Sequence, residues 1–170
     1  MFKFYLLFAL AASTYAYVRY VELPEGHAIQ GTNSSGLIIR LKSTYLEVEW
    51  LEDFGYENSL KVYFNYIFEE TGEREIVELQ NLCGKYKEGS IADSLKNFIL
   101  AKLGNTNKCP IKKGTVNVTF PVIFTYNTTS KGCGPAFGFY NIFRNNKTDS
   151  KRTPLQMGLT FRGVVYGKDC

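Results

Sequence analysis

Hydrophobic and polar positions alternate at period two along most of this chain. Over residues 59–69, Leu60, Val62, Phe64, Tyr66 and Phe68 share one face, while Lys61, Asn65 and Glu69 share the other with Tyr63 and Ile67. Residues 44–51 repeat the pattern, with Leu46, Val48 and Trp50 opposite Glu47 and Glu49. So does the final segment, where Leu155, Met157, Leu159, Phe161 and Val165 oppose Gln156, Thr160 and Arg162. Successive side chains of a strand point to opposite faces, so these segments read as half-buried strands with one face in a core. Further strands are expected at 18–23, 37–41, 73–79, 115–120 and 136–143. Glu70-Thr71-Gly72 reads as the turn of an antiparallel hairpin.

One segment follows the helical period instead. Between Ser90 and Leu103, the residues Ile91, Leu95, Phe98, Ile99 and Leu103 fall on one helical face, with Asp93, Lys96, Asn97 and Lys102 off it. Ser90 is the expected N-cap, and Asp93 lies in the first turn, where the helix dipole favours a carboxylate. Gly104 is expected in the left-handed conformation just past the end. The fold class is therefore mainly β: an antiparallel β-sandwich or β-cup of about eight strands with one inserted amphipathic helix.

The start of the chain stands apart. Lys3 precedes a short apolar run from Phe4 to Ala12, and Ser13-Thr14-Tyr15-Ala16 ends in the small residues a signal peptidase reads. The run is far shorter than the roughly 20 residues that span a bilayer. Residues 1–16 are expected to be a signal peptide, leaving a single secreted, extracellular domain over 17–170 with no membrane span. Cleavage removes Lys3 and no acid, so the formal charge falls from +4 to +3. The basic residues are scattered along the sequence, and no nucleic-acid footprint is expected.

Cys83, Cys109, Cys133 and Cys170 make an even count, which in a secreted chain points to two disulfides with three pairings open. Cys83–Cys109 would close the helical excursion, and Cys133–Cys170 would tie the end of the last strand to the Gly132-Cys133-Gly134-Pro135 turn; this pairing is favoured. Four sequons, at Asn33, Asn117, Asn127 and Asn146, are candidate glycosylation sites. In 115–120 the apolar face is Val116, Val118 and Phe120, which turns Asn117 outward.

Candidate chemistry is sparse. His27 is the only histidine, no Gly-x-Ser-x-Gly elbow occurs, and no Cys or His spacing suits zinc. Neither an enzyme, nor a cofactor, nor a metal site is expected. The affirmative signal is 12 Tyr and 13 Phe. Trp50, Phe64, Tyr66, Phe68, Phe137, Phe139, Met157 and Phe161 are assigned to inward faces. They could fill an ordinary core or, if two sheets splay, line an apolar cavity.

Leu79-Gln80-Asn81-Leu82-Cys83 leads into the helix, Asn107-Lys108-Cys109-Pro110-Ile111-Lys112-Lys113-Gly114 follows it, and the closing strand runs from Leu155 to Gly167. In this order of elements the chain resembles the insect members of the ML lipid-recognition superfamily. That group includes the chemosensory CheA and CheB proteins and relatives of the ganglioside activator. The resemblance covers about residues 40–170. It implies a β-cup with an apolar cavity, a lipid or other hydrophobic small molecule as partner, no catalysis and, for some members, a role in perceiving pheromones or other lipophilic cues. The cavity lining expected here is Trp50, Phe64, Tyr66, Phe68, Phe139, Met157, Leu159 and Phe161. The alternatives are a secreted ligand or inhibitor of another protein, such as a receptor, with a packed core and no cavity, and a secreted hydrolase.

Overall fold

The alternating segments become nine strands and the helical segment one helix in the computed structural model, which describes residues 17–32, 34–145 and 154–170. The expected signal peptide and the sequon residues Asn33 and Asn146 lie outside the described residues. In chain order the elements are β1 (Tyr17–Gln30), β2 (Leu37–Leu41), β3 (Tyr45–Trp50), β4 (Leu60–Phe68), β5 (Arg74–Leu79), α1 (Ile91–Leu103), β6 (Gly114–Thr119), β7 (Val122–Thr128), β8 (Gly134–Arg144) and β9 (Leu155–Tyr166). They form a six-stranded sheet, ordered β5-β4-β8-β9-β1-β7, and a three-stranded sheet, β2-β3-β6. Every pairing between these strands is antiparallel. The fold class is thus the expected one, an antiparallel β architecture with one helix.

The large sheet curls into a half-barrel. Its two edge strands approach one another, so that the Thr128 hydroxyl on β7 donates to Glu75 Oε1 on β5 at 3.0 Å. The helix packs across this seam, against both β7 and β5. Ser90 is its N-cap, accepting from the Asp93 N–H at 3.2 Å. Two disulfides, Cys83–Cys109 and Cys133–Cys170, fasten the flanks of the helical excursion and the end of the last strand. Among the described residues no helix is long and apolar enough to cross a membrane.

Three local expectations are corrected. First, β1 runs on past residue 23 to Gln30, through Pro24. Proline has no N–H to give a ladder and is tolerated at irregularities. Here the β1–β9 register shifts between Glu22 and Glu25, three residues on β1 passing two on β9. Second, the stretch after Thr119 does not end a strand system but starts another. Phe120-Pro121 carries the chain from the small sheet, where β6 pairs with β3, to the large one, where β7 pairs with β1. Val122, Phe124 and Tyr126 then form a new inward face. Third, Gly104 is an ordinary C-cap at φ −103°, and Asn105 takes the left-handed conformation at φ 47°. Glycine at 104 answers to closeness: a Cβ there would lie 2.8 Å from the Leu100 carbonyl oxygen and 2.9 Å from Ile111 Cγ1.

The core fills the space between the concave face of the large sheet, the inner face of the small sheet and the apolar face of α1. Leu95, Ile99, Leu100 and Leu103 are the buried positions of the helix. Asn117 and Asn127 are both exposed, as a glycan requires.

Candidate functional site: the concave aromatic face

Alternation on β4 turns Leu60, Val62, Phe64, Tyr66 and Phe68 inward, and all five are buried. Phe64 sits at the centre of a ring cluster. Its centroid lies 4.5 Å from Tyr140, 5.3 Å from Tyr66, 5.8 Å from Phe161 and 6.1 Å from Phe124. Phe68 extends the cluster from Tyr66, and Phe98 of α1 closes it from above, 5.0 Å from Phe124 and 5.8 Å from Tyr140. Tilted, offset and edge-on pairs at these separations are the favoured aromatic geometries.

Of the residues expected to line a cavity, Phe64, Tyr66, Phe68 and Phe161 meet in this cluster, and Met157 and Leu159 are buried on the same concave side. Trp50 is also buried but belongs to the small sheet. Its indole N–H donates to the Leu103 carbonyl at 2.7 Å, and its ring packs against Phe54 at 5.4 Å. It therefore anchors the C-terminal end of α1, satisfying a carbonyl the helix leaves unpaired.

Phe139 and Phe137 are corrected: both lie on the convex face. Phe139 stacks on Tyr63 with centroids 6.0 Å apart, and Phe137 is 49 % exposed. The inward set of β8 is Ala136, Gly138, Tyr140 and Ile142. Aromatic residues occupy both parities of this strand, so alternation left its phase open. Space decides it. A Cβ on Gly138 would lie 2.3 Å from the Asn65 carbonyl oxygen and 2.7 Å from both Phe161 Cζ and Tyr66 Cβ, so the smallest side chain must face the rings.

Five contributors were not picked out from the sequence as site residues, Phe98 having been assigned only to the apolar face of the helix. Tyr126 and Phe124 belong to β7, whose alternation at 122, 124 and 126 was the available signal. Tyr140 follows from the phase of β8. Glu75 shares its strand face with Val77 and Leu79, both buried, which marks it as an inward carboxylate. Its Oε2 accepts from the Tyr66 hydroxyl at 2.6 Å, and the Tyr66 and Tyr126 hydroxyls are in direct contact. Burial pushes the phenols of Tyr66 and Tyr126 far above the usual tyrosine range, and the Glu75 charge acts in the same direction on both. Burial does the same to Tyr140, with Tyr126 adding to it. All three stay neutral at physiological pH.

A groove of about 390 Å³ opens beside this polar seam, bordered by Glu75, Ser90, Ile91, Asn127 and Thr128. A comparable groove of about 410 Å³ lies on the convex side by His27, Phe137 and Arg162. Both touch the margin of the ring cluster, the first through Glu75 and its bond to Tyr66, the second through Phe161. Among the described residues no group of three His, Cys, Asp or Glu side chains is placed to hold a metal ion. No protein-family model, no curated protein and no solved structure matches the chain.

Proposed function

We propose that this chain is an exported, non-catalytic binder of a lipid or other hydrophobic small molecule, held between the concave face of the large sheet and helix α1. The observation that carries this reading is the Phe64-centred ring cluster, with the amphipathic helix resting on it through Phe98. Such a wall gains about 0.8 kcal/mol for each ligand methylene it removes from water. The helix is tied at both ends, by the Ser90–Asn127 bridge to β7 and by the Trp50 bond to the Leu103 carbonyl, and covers the rings between them through Phe98. The resemblance to ML proteins supports the same reading and adds a role in perceiving lipophilic cues.

Secreted protein, analysed by native mass spectrometry, should carry a co-purified apolar molecule, begin at Tyr17 and bear N-glycans at Asn117 or Asn127. Fluorescence titration with long-chain compounds and sterols should saturate, and Leu159→Trp should weaken it while the fold persists. Retention of Met1 on exported material would sink the export reading. Absence of saturable binding across that panel would sink the carrier.

The convex face favours a second reading, a secreted ligand for another protein. Ile76, Ile123 and Phe137 are each 49 % exposed there and Val164 45 %. Phe137 and Val164 sit on the paired strands β8 and β9, two residues apart in register, and exposed apolar side chains grouped in this way mark interaction sites. Phe137→Lys with Val164→Lys should abolish capture by such a partner and leave small-molecule binding intact.

A further inference from the structure

Three tyrosine hydroxyls enter the concave face, and they are not equivalent. Tyr66 and Tyr126 contact each other, Tyr66 donates to Glu75, and Glu75 takes a second bond from Thr128. Tyr140 has no such partner. Its ring is 1 % exposed, clasped by Phe64 at 4.5 Å, Phe161 at 5.3 Å and Phe98 at 5.8 Å, and its hydroxyl makes no hydrogen bond within the protein. A buried hydroxyl without a partner destabilises a fold, whereas phenylalanine would pack the same position without that cost.

Charge narrows what could pair with it. The buried cation on the inward parity of β1 is Arg19, and it is fully engaged by Asp169 and by the carbonyls of Ser130 and Gly132. Lys96, on the helix, is paired with Asp93. The charged side chain that does reach the tyrosines is Glu75, a carboxylate. Lys87 lines the groove beside Glu75, but the groups around Tyr140 itself are the rings of Phe64, Phe98 and Phe161, so a ligand carboxylate or phosphate buried there would lie among rings and not against a cation, which is strongly disfavoured. A phenol hydroxyl donates to a carbonyl and accepts from an alcohol equally well.

From this geometry we infer that Tyr140 recognises one neutral oxygen on the ligand, so that the molecule bound is an alcohol, ketone, aldehyde or ester of a long apolar chain and not a fatty acid. The inference rests on the carrier reading above and deepens it.

The test is dye-displacement titration of the mature glycoprotein with four molecules of equal chain length: an alkane, a primary alcohol, a methyl ester and a carboxylate. The alcohol and ester should bind about three- to tenfold more tightly than the alkane, the gain of one neutral hydrogen bond. The carboxylate at neutral pH should bind more weakly than either. Tyr140→Phe should erase the gap between alcohol and alkane, leave the alkane unchanged, and hold or raise the Tm. Three results overturn the inference while leaving the carrier standing: tightest binding of the carboxylate, an undiminished gap in Tyr140→Phe, or a Tm lowered by several degrees in that variant, which would mean that the hydroxyl is already partnered. Saturable binding by none of the four defeats the carrier reading itself, and the inference with it.

Discussion

Arg19, wholly buried near the start of β1, grips Asp169 one residue from the chain's end: Nη1 lies 2.6 Å from Oδ1 and Nη2 3.0 Å from Oδ2. The same guanidinium donates through Nε to the Gly132 carbonyl and through Nη2 to that of Ser130. One side chain thus holds the first strand, the 130–132 loop and the C-terminal tail together, beside the Cys133–Cys170 disulfide. Arg19→Met leaves two carbonyls without that donor, and the Tm is expected to fall by roughly 5 °C in calorimetry. An unchanged Tm would mean that the clamp contributes nothing.

The same pair sets an acid limit. The hydrogen bond from Arg19 holds the Asp169 carboxyl below its ordinary value of 3.8. Bonds from Lys112 and the Lys113 N–H do the same for Asp53, and bonds from Arg162 for Glu69. A carboxyl whose folded pKa is depressed contributes stability that is complete above its unfolded value and is lost as pH falls through the folded one. Tm should therefore be flat near neutrality and decline below about pH 4. Asp169→Asn should lower the neutral plateau and soften that decline; parallel curves for the two proteins would refute the assignment.

At the alkaline end the sign reverses. Burial raises the phenols of Tyr66, Tyr126 and Tyr140, so the unfolded chain releases those protons first and stability falls as pH rises past about 10. Spectrophotometric titration should show the exposed tyrosines ionising normally and three resisting until the protein unfolds. Smooth ionisation of every tyrosine in the folded state would contradict the ring cluster.

Gly138 is the position where the concave face tolerates least. A Cβ there meets the Asn65 carbonyl oxygen at 2.3 Å and Tyr66 Cβ at 2.7 Å, both held by the backbone, and the tip of the Phe161 ring at 2.7 Å. Gly138→Ala should cost about 1–3 kcal/mol by overpacking, read as a lower denaturant midpoint at unchanged slope. The neighbouring outward change Phe137→Ala should cost far less, because that ring is half exposed.

The disulfides close loops of 26 and 37 residues. Chain entropy assigns each about 3.5–4 kcal/mol. Replacing both members of either pair by Ser should therefore lower stability by a similar amount. Equal stability of the oxidised and doubly substituted proteins would show that these loops are already restrained in the unfolded chain.

Strand identity was legible wherever one face was uniformly apolar, as in β3, β4 and β9, because burial of one face imposes period two on the sequence itself. The helix was legible for the corresponding reason, with Ser90 as its cap. The cystine pairing was open among three in the sequence, and the structure has the favoured one, Cys83–Cys109 with Cys133–Cys170.

Phase and sheet membership were not legible. Phe137, Phe139 and Tyr140 offer aromatic side chains on both parities of β8, and only the crowding of Phe161 and Tyr66 against Gly138 chooses between them. Nothing local says that Phe120-Pro121 moves the chain from one sheet to another, because the partners that define the change, β3 and β1, are distant in sequence. Glu75 likewise looks like any strand carboxylate until the curl of the large sheet brings Tyr66 and Thr128 to it. The sequence by itself determined which residues alternate, which segment is helical and where it is capped, since those depend on neighbours a few positions away. Only the tertiary structure decided which tyrosine hydroxyls are paired and which is left alone, since that depends on the closure of six strands around one set of rings.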